Sequence, residues 1–142
     1  MKPIYLDHAA TTPVREEVTR AMASCLTDSF GNPSSIHRWG RAAAAALDEA
    51  RDKCAQAIGA KAAEIYFVRG GTESDNMAIM GRAARLRRDG HSPTVVVTEV
   101  AHKAILDAAR QATVRGAGRL VTLAVGPDGS LDGDALDAAL AD

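Results

Sequence analysis

The length, composition and charge of the chain indicate one ordinary globular protein. Its 142 residues are 46% hydrophobic and 25% charged, a balance that argues against disorder. A net charge of -1 and the lack of a basic stripe with interleaved aromatics give no reason to expect nucleic acid or a membrane surface as partner. The first residues lack the apolar core of a signal peptide and no run approaches the roughly 20 apolar residues of a membrane helix, so we expect a cytoplasmic protein.

The first part of the chain combines an arm, a helix and a turn-rich loop. Residues 4–12 begin with a short apolar run and continue with small and polar residues, which predicts an extended arm. A helix is predicted over residues 13–26, because a proline followed by acidic residues suits the positive end of a helix. The loop over residues 27–40 is rich in turn formers yet has an aromatic residue near each end, which indicates a packed loop.

Three apolar runs alternate with helical patterns along the rest of the chain. Strands are predicted at residues 65–68, 94–98 and 120–123. Helices are predicted over residues 41–58, 75–88, 103–115 and 132–141, with Gly59 and Gly90 placed to end the first two. The strands lie about 25 to 30 residues apart with a helix between each pair, which is the rhythm of right-handed βαβ units. The predicted fold class is therefore α/β, with a partial, mainly parallel sheet and flanking helices.

The two cysteines, Cys25 and Cys54, are predicted to be buried thiols. They are too few and too far apart for a zinc knuckle or a Cys-x-x-Cys redox pair, and we expect no metal site. Each falls in helical register with apolar neighbours, Cys25 with Met22 and Cys54 with Leu47 and Ile58.

The segment after the first predicted strand has the composition of an anion-binding corner. Gly70 and Gly71 allow a tight turn and a close approach of the backbone, and Thr72, Ser74 and Asp75 supply helix-start chemistry. Free N–H groups and the positive end of the helix dipole would suit a phosphate above the glycines. Thr72 and Asp75 also fit a capping box, which begins many helices that bind nothing. The spacing matches neither a dinucleotide fingerprint nor a P-loop.

His102 lies in the loop after the second predicted strand. This loop is expected at the same end of the sheet as Gly70 and Gly71, where open α/β sheets bind ligands. A lone histidine near a helix start more often caps the helix or faces solvent. The two loops follow neighbouring strands, and both contain residue types that bind ligands, which favours a shared site.

Four motifs occur in order along the chain. They are Tyr5–Pro13, Phe30–Ser35, Gly70–Asn76 and His102–Asp107. Together they resemble the N-terminal part of cysteine desulfurases, class V members of the fold-type I enzymes that use pyridoxal 5'-phosphate. The resemblance implies conversion of L-cysteine to L-alanine, with the sulfur moved to an enzyme persulfide and then to a sulfur-acceptor protein for iron-sulfur cluster or thiolation pathways. It also implies a homodimer when the protein is complete.

The resemblance also implies roles for individual residues. Gly71 and Thr72 become contacts of the cofactor phosphate, and His102 becomes the imidazole that stacks on the pyridine ring and assists proton transfer. Asn32 supplies a side-chain amide near the substrate carboxylate. The arm around His8 would line the entrance to the site.

Departures from the family pattern limit what the chain is expected to do alone. Arg69 stands where serine is usual, and Ala101 stands where an acid commonly precedes the histidine. The lysine that holds the cofactor covalently, the aspartate that pairs with the pyridine nitrogen, the persulfide cysteine and the carboxylate-binding arginine belong to later motifs that are not in this chain. We therefore expect an inactive front part of a larger protein, since its last helical period is unfinished and its outermost strand leaves an apolar edge. Residues 1–40 would form the arm, helix and active-site loop, and residues 41–142 a truncated first part of the cofactor-binding large domain.

Three alternatives remain open at this point. The first is a selenocysteine lyase or another class V aminotransferase-like enzyme, which these motifs barely separate from a desulfurase. The second is a non-catalytic fragment that acts by binding a partner. The third is a phosphate-binding α/β module unrelated to this chemistry.

Overall fold

The computed structural model describes residues 3–114 and 118–141. The chain divides into two units, Met1–Tyr66 and Phe67–Asp142. The first unit contains α1 (Glu16–Thr27), α2 (Arg38–Ile58) and a short 3-10 helix (Ala62–Glu64). The second contains α3 (Gly71–Arg88), β1 (Thr94–Thr98), α4 (Lys103–Val114), β2 (Arg119–Leu123) and α5 (Gly133–Ala141). The domain division predicted at residue 40 stays a prediction.

The N-terminal arm is not extended throughout, which corrects the prediction. The N–H groups of Ala10 and Thr11 donate to the Asp7 carbonyl at 3.1 and 3.4 Å, and close a turn. The Tyr5 hydroxyl lies 2.9 Å from the Asp7 carbonyl oxygen and 3.1 Å from that of Thr11. Local hydrogen bonds therefore satisfy backbone groups that a fully extended arm would have to pair elsewhere.

Helix α2 starts earlier than the sequence pattern predicted and ends where it predicted. The ring nitrogen Nδ1 of His37 accepts the N–H of Gly40 at 3.2 Å and so caps the start of the helix. Gly59 ends it in the left-handed conformation, with φ 67°. A residue with a Cβ is strained in that conformation, so glycine suits the position.

Both cysteines are exposed, so the prediction that they are buried is wrong. The structure describes every residue of α1, and none of them is buried; Met22, in register with Cys25, is 58% exposed. In α2 the buried stripe passes through Ala43 and Ala55 instead of Cys54. Helical periodicity identified an apolar face, but it could not show which residues another element covers.

The second unit contains a two-stranded parallel sheet with helices packed on it. β1 and β2 pair in register from Thr94 opposite Arg119 to Thr98 opposite Leu123. Helix α4 packs against both strands and against α3. The buried positions that support this packing are mostly alanine: Ala83 in α3 and Ala108, Ala109 and Ala112 in α4. Side chains of this size let helices approach closely while still removing apolar surface from water.

The predicted strand at residues 65–68 does not form within the described part of the chain. Ile65 has an extended backbone, but its carbonyl accepts a hydrogen bond from the Arg51 side chain at 3.3 Å instead of a ladder partner. Tyr66 and Phe67 are 70% and 50% exposed. An apolar run indicates that a segment can be buried, whereas a strand also needs a neighbour to pair with.

The segment after β2 makes the predicted tight turn. The N–H of Gly129 donates to the carbonyl of Gly126 at 2.9 Å, and Gly129 has a positive φ of 84°. Val125 and Leu131 form an antiparallel bridge on either side of this turn.

The helix ends in this unit follow ordinary capping chemistry. Asp132 begins α5, because its carboxylate accepts the N–H groups of Asp134 and Ala135 at 3.0 and 3.2 Å. The predicted end of α4 at Arg115 lies outside the described residues. Among the helices of the described ranges, none is long and apolar enough to cross a membrane.

Candidate functional site

The start of α3 forms the first half of the candidate site. Gly70 is the residue before the helix, and the N–H of Ser74 donates to its carbonyl at 3.1 Å. The first N–H groups of any α-helix have no partner inside it. Those of Gly71, Thr72 and Glu73 therefore remain available at the helix end, where the helix dipole is positive.

The capping arrangement differs from the predicted box of Thr72 and Asp75. Helix α3 begins at Gly71, so Asp75 lies too far along the helix to serve its first turn. The Oε2 of Glu73 accepts the N–H of Arg69 at 2.9 Å, so Glu73 holds the turn before the helix and does not cap a helix N–H. The capping box predicted for Thr72 and Asp75 does not form, because the helix starts at Gly71 and not after the glycines. As a result the exposed Thr72 side chain is not used to cap the helix.

An open depression of about 670 Å³ lies at this helix start. Its lining residues are Arg69, Gly70, Gly71, Thr72, Glu73, Asn76 and Met77. A Cβ added at Gly70 or Gly71 would meet nothing within 4 Å. Gly70 has φ 169°, extended backbone that any residue adopts. Neither packing nor strain thus requires glycine at position 70, and the free space above it is open to a ligand.

His102 forms the second half of the candidate site at the start of α4. Its Nδ1 accepts the N–H of Ala104 at 3.1 Å, and its carbonyl accepts the N–H of Ile105 at 2.9 Å. Because Nδ1 is an acceptor, the neutral ring carries its proton on Nε2. His102 is exposed, so capping the helix leaves this Nε2–H free to face a ligand.

The topology of the second unit brings the two halves to the same end. Helix α3 ends at Arg88, shortly before β1 begins, and α4 starts shortly after β1 ends. The two helices pack against each other, and Nη1 of Arg87, near the end of α3, donates to the Ala112 carbonyl, near the end of α4, at 2.7 Å. The ends of the helices therefore lie together, and both helices begin at the carboxyl end of β1. Gly71, Thr72 and His102 therefore share the end of the sheet at which α/β folds bind ligands.

Asn32 belongs to the first unit, in the loop before α2. Its Oδ1 accepts the N–H of Ser34 at 2.9 Å, and its main-chain carbonyl accepts the N–H of Ser35 at 2.9 Å. This turn uses the acceptor side of the amide and leaves the Nδ2 donor exposed. A Cβ at Gly31 would lie 2.2 Å from the Trp39 carbonyl oxygen, so the loop is tightly packed there, as the sequence indicated.

Two residues that support the site were not identified from the sequence. Glu73 holds the turn before α3, and Glu99 accepts the N–H of Val125 at 3.1 Å beside the loop that carries His102. An acid at the third position of a helix is a readable sign of capping. The contact of Glu99 has no sequence signal, because its partner lies 26 residues away.

Comparison with known proteins shows which sequences and structures the chain is similar to. The sequence model of the aminotransferase class-V family matches residues 4–142. The cysteine desulfurase IscS of Dictyoglomus turgidum is 52% identical over 106 residues, which cover 75% of this chain and 26% of that protein. The cysteine desulfurase IscS of Enterobacter sp. (strain 638) is 43% identical over 143 aligned positions, which cover 99% of this chain and 35% of that protein. The chain thus spans about a third or less of these relatives.

A solved structure of SspA in complex with cysteine has the same local fold. It superposes with a TM-score of 0.83 at 30% identity, over 95% of this chain and 38% of that one. The predicted α/β class with parallel strands and flanking helices is confirmed. Because the family model matches nearly all of the sequence, the chain belongs to the aminotransferase class-V family.

Proposed function

We propose that this chain is the cofactor-phosphate-binding part of a cysteine desulfurase, which converts L-cysteine to L-alanine and moves the sulfur to an enzyme persulfide. Two kinds of similarity support this: relatives named cysteine desulfurase are 43% to 52% identical to it, and a structural relative was solved with cysteine. The observation that carries the proposal is an open α3 start beside an oriented His102 at one end of the second unit.

The start of α3 fits the phosphate of pyridoxal 5'-phosphate. A phosphate dianion needs several N–H donors and a positive potential, and the first turn at Gly71 and Thr72 offers both. A Cβ at Gly70 or Gly71 would occupy the open space through which the phosphate approaches. The exposed Thr72 hydroxyl adds a further donor. When bound, the cofactor supplies an electron sink that stabilises negative charge at the substrate α-carbon.

Glu73 does not prevent anion binding at this helix start. Its carboxylate is engaged with the Arg69 N–H, and this hydrogen bond fixes the turn that presents the donors. Arg69 lines the same depression, so a positively charged residue accompanies the negative charge of Glu73 there.

His102 serves the proposed reaction by holding a proton at Nε2. The hydrogen bond from Ala104 to Nδ1 fixes both the ring orientation and the tautomer. Proton transfer by a positioned imidazole contributes to catalysis when the ring is held within hydrogen-bond reach of the reacting group. The flat ring also suits stacking on the pyridine of the cofactor.

Asn32 serves the proposed substrate by donating from Nδ2. With Oδ1 held by the Ser34 N–H, the exposed group of the amide is a donor, which suits a carboxylate. A neutral donor orients the amino acid without adding charge to the site.

The complete reaction needs groups beyond those of this chain. We propose that the chain alone does not turn over cysteine, and that the complete protein is a cytoplasmic homodimer that passes sulfur to an acceptor protein. Selenocysteine lyase activity is the alternative within the same family, and parallel assays of the complete protein with L-cysteine and L-selenocysteine distinguish the two.

The test is a titration of the 15N-labelled chain with pyridoxal 5'-phosphate, followed by amide and imidazole resonances. We expect shifts at Gly71, Thr72 and His102, and much smaller shifts at these residues with pyridoxal, which lacks the phosphate. If inorganic phosphate moves Gly71 and Thr72 as strongly as the cofactor does while His102 stays unchanged, the chain is a phosphate-binding module instead. If none of the three ligands moves these resonances, the proposed site is wrong.

A further inference from the structure

We propose that Glu99 is a positioning residue, which fastens the loop carrying His102 to the segment after β2. The inference rests on the role proposed above for His102. The geometric part, that Glu99 holds this loop, depends only on the described contacts of the second unit.

Glu99 joins the two segments in both directions. Its own N–H donates to the Leu123 carbonyl at 2.9 Å, which continues the parallel ladder beyond the last strand pair. Its side-chain Oε1 accepts the N–H of Val125 at 3.1 Å. A single residue therefore ties the exit of β1 to the exit of β2 through main chain and side chain.

The segment after β2, to which Glu99 binds, is itself held in place. Val125 pairs with Leu131 in an antiparallel bridge, and Asp132 follows directly as the cap of α5. The segment around Val125, to which Glu99 binds, is thus fixed by a β-bridge and by the start of α5. It provides a fixed support for the loop that carries His102.

The loop between Glu99 and His102 is short. Only Val100 and Ala101 separate Glu99 from His102, and the N–H of Ala101 donates to the Thr98 carbonyl at 3.1 Å. A loop this short has few conformations once both ends are fixed, so holding Glu99 restricts where the His102 ring lies. Exact placement of a proton-transferring group matters, because small displacements cost much of its catalytic effect.

The chemistry of the contact defines three informative variants. Glu99→Ala removes the acceptor, and Glu99→Asp keeps the charge but is one methylene too short to reach the Val125 N–H. Glu99→Gln keeps a carbonyl oxygen at the same length and loses the charge. If the hydrogen bond to Val125 positions the loop, Glu99→Gln should keep the loop order of the wild type. Glu99→Ala and Glu99→Asp should lose that order to a similar degree.

The experiment measures the ligand-free 142-residue chain by NMR. For Glu99→Ala and Glu99→Asp we expect amide exchange of Val125 to accelerate about five-fold, the equivalent of one hydrogen bond. We expect order parameters over residues 99–102 to fall from about 0.85 towards 0.6, and the 15N shifts of His102 to lose the signature of an Nδ1 acceptor. Glu99→Gln should retain all three wild-type values.

Asp89→Ala is the matched control. Asp89 is another exposed carboxylate of the second unit that accepts a side-chain hydrogen bond, from Arg85 at 2.8 Å, but it lies at the opposite end of α3 from the site. It should change none of the three readouts.

Two results would overturn the proposal. In the first, residues 99–102 and the His102 tautomer stay as in the wild type although Val125 exchange shows that the contact is lost. In the second, Glu99→Gln behaves like Glu99→Ala, which would assign the effect to charge. The cofactor titration is independent of these measurements, so failure of the proposed function and failure of the positioning role are distinguishable.

Discussion

Thr72 offers a test of the cofactor site at the level of one hydroxyl group. Thr72→Ala removes the hydroxyl and leaves the N–H and the helix start in place. A hydrogen bond to a charged group contributes roughly 1.5 to 3 kcal/mol, so we expect the affinity for pyridoxal 5'-phosphate to fall at least about ten-fold. Isothermal titration calorimetry measures this. Thr94→Ala removes an exposed hydroxyl at the first residue of β1 and should leave the affinity unchanged. Equal affinities of Thr72→Ala and wild type would contradict the assignment.

His102 combines a structural and a chemical role that two substitutions separate. Asparagine also caps helices well, so His102→Asn should keep the free energy of unfolding close to that of the wild type, whereas His102→Ala should lower it by about 1 kcal/mol. Both variants lose the imidazole. In the complete enzyme we expect both to lose desulfurase activity to a similar degree, about 100-fold or more.

Urea denaturation and an alanine-release assay provide the two readouts for His102. If only the less stable His102→Ala loses activity and His102→Asn stays fully active, His102 serves only as a helix cap.

The residue types at these positions predicted a helix start, but they did not define the residue at which the helix begins. Gly70, Gly71 and Thr72 indicated an anion site from their composition, and the structure places them at an open helix start. The role of the nearby acids could not be assigned correctly, because it depends on where the helix begins. The helix begins a few residues earlier than predicted, and Glu73 instead of Asp75 accepts a main-chain N–H beside it, that of Arg69.

At the level of elements, two glycines in helices should respond in opposite ways to alanine. A Cβ at Gly40 in α2 would lie 2.1 Å from the Ser35 carbonyl oxygen, a backbone atom that cannot move aside easily. Gly40→Ala should therefore destabilise the chain by about 1 to 3 kcal/mol. A Cβ at Gly81 in α3 meets nothing within 4 Å, so Gly81→Ala should stabilise by about 0.5 to 1 kcal/mol.

Thermal unfolding of the two glycine variants beside the wild type checks both signs. A neutral Gly40→Ala would show that the loop before α2 can move away from the helix.

Helix α4 carries an ion-pair cluster that should respond to acid. The hydrogen bond from Lys103 to Asp107, at 2.5 Å, is the largest cause that lowers the pKa of Asp107 below its ordinary value of 3.8, and the charges of Lys103 and Arg110 add to it. A lowered folded-state pKa contributes stability above the unfolded pKa, and this stability is lost as pH falls through the folded value. The contribution is small because the groups are exposed.

The melting temperatures of the wild type and Asp107→Asn should therefore differ slightly at neutral pH and converge below pH 3.8. Asp52→Asn, at an exposed position of α2, should show no comparable pH-dependent difference. A difference for Asp107→Asn that persists in acid would assign its effect to something other than the ion pair.

Elements with local signals were predicted closely, and elements that need a distant neighbour were not. β1 has the predicted bounds, and Gly59 ends α2 as expected, because a short apolar run and a helix-ending glycine are signals within one segment. The run at residues 65–68 has equal apolar character but lacks a ladder within the described residues. Pairing is a property of two segments, and no single segment encodes it.

On the scale of the whole molecule, the proposal predicts that activity returns only with the rest of the enzyme. The purified 142-residue chain should produce no alanine from L-cysteine. Co-expression with the part of the Enterobacter sp. (strain 638) desulfurase that follows the matched 35% should yield a complex that contains pyridoxal 5'-phosphate on the added polypeptide. Native and denaturing mass spectrometry measure the complex and the adduct, and turnover by the chain alone would contradict the prediction.

The junction between the two units falls between Tyr66 and Phe67, two large aromatic residues that are both well exposed. Proteases that cut after exposed aromatic side chains therefore have a target at this point. A single nick there would divide the polypeptide between its two units. Storage and purification of the chain therefore call for inhibitors of chymotrypsin-like proteases, since an exposed tyrosine stands directly before the junction.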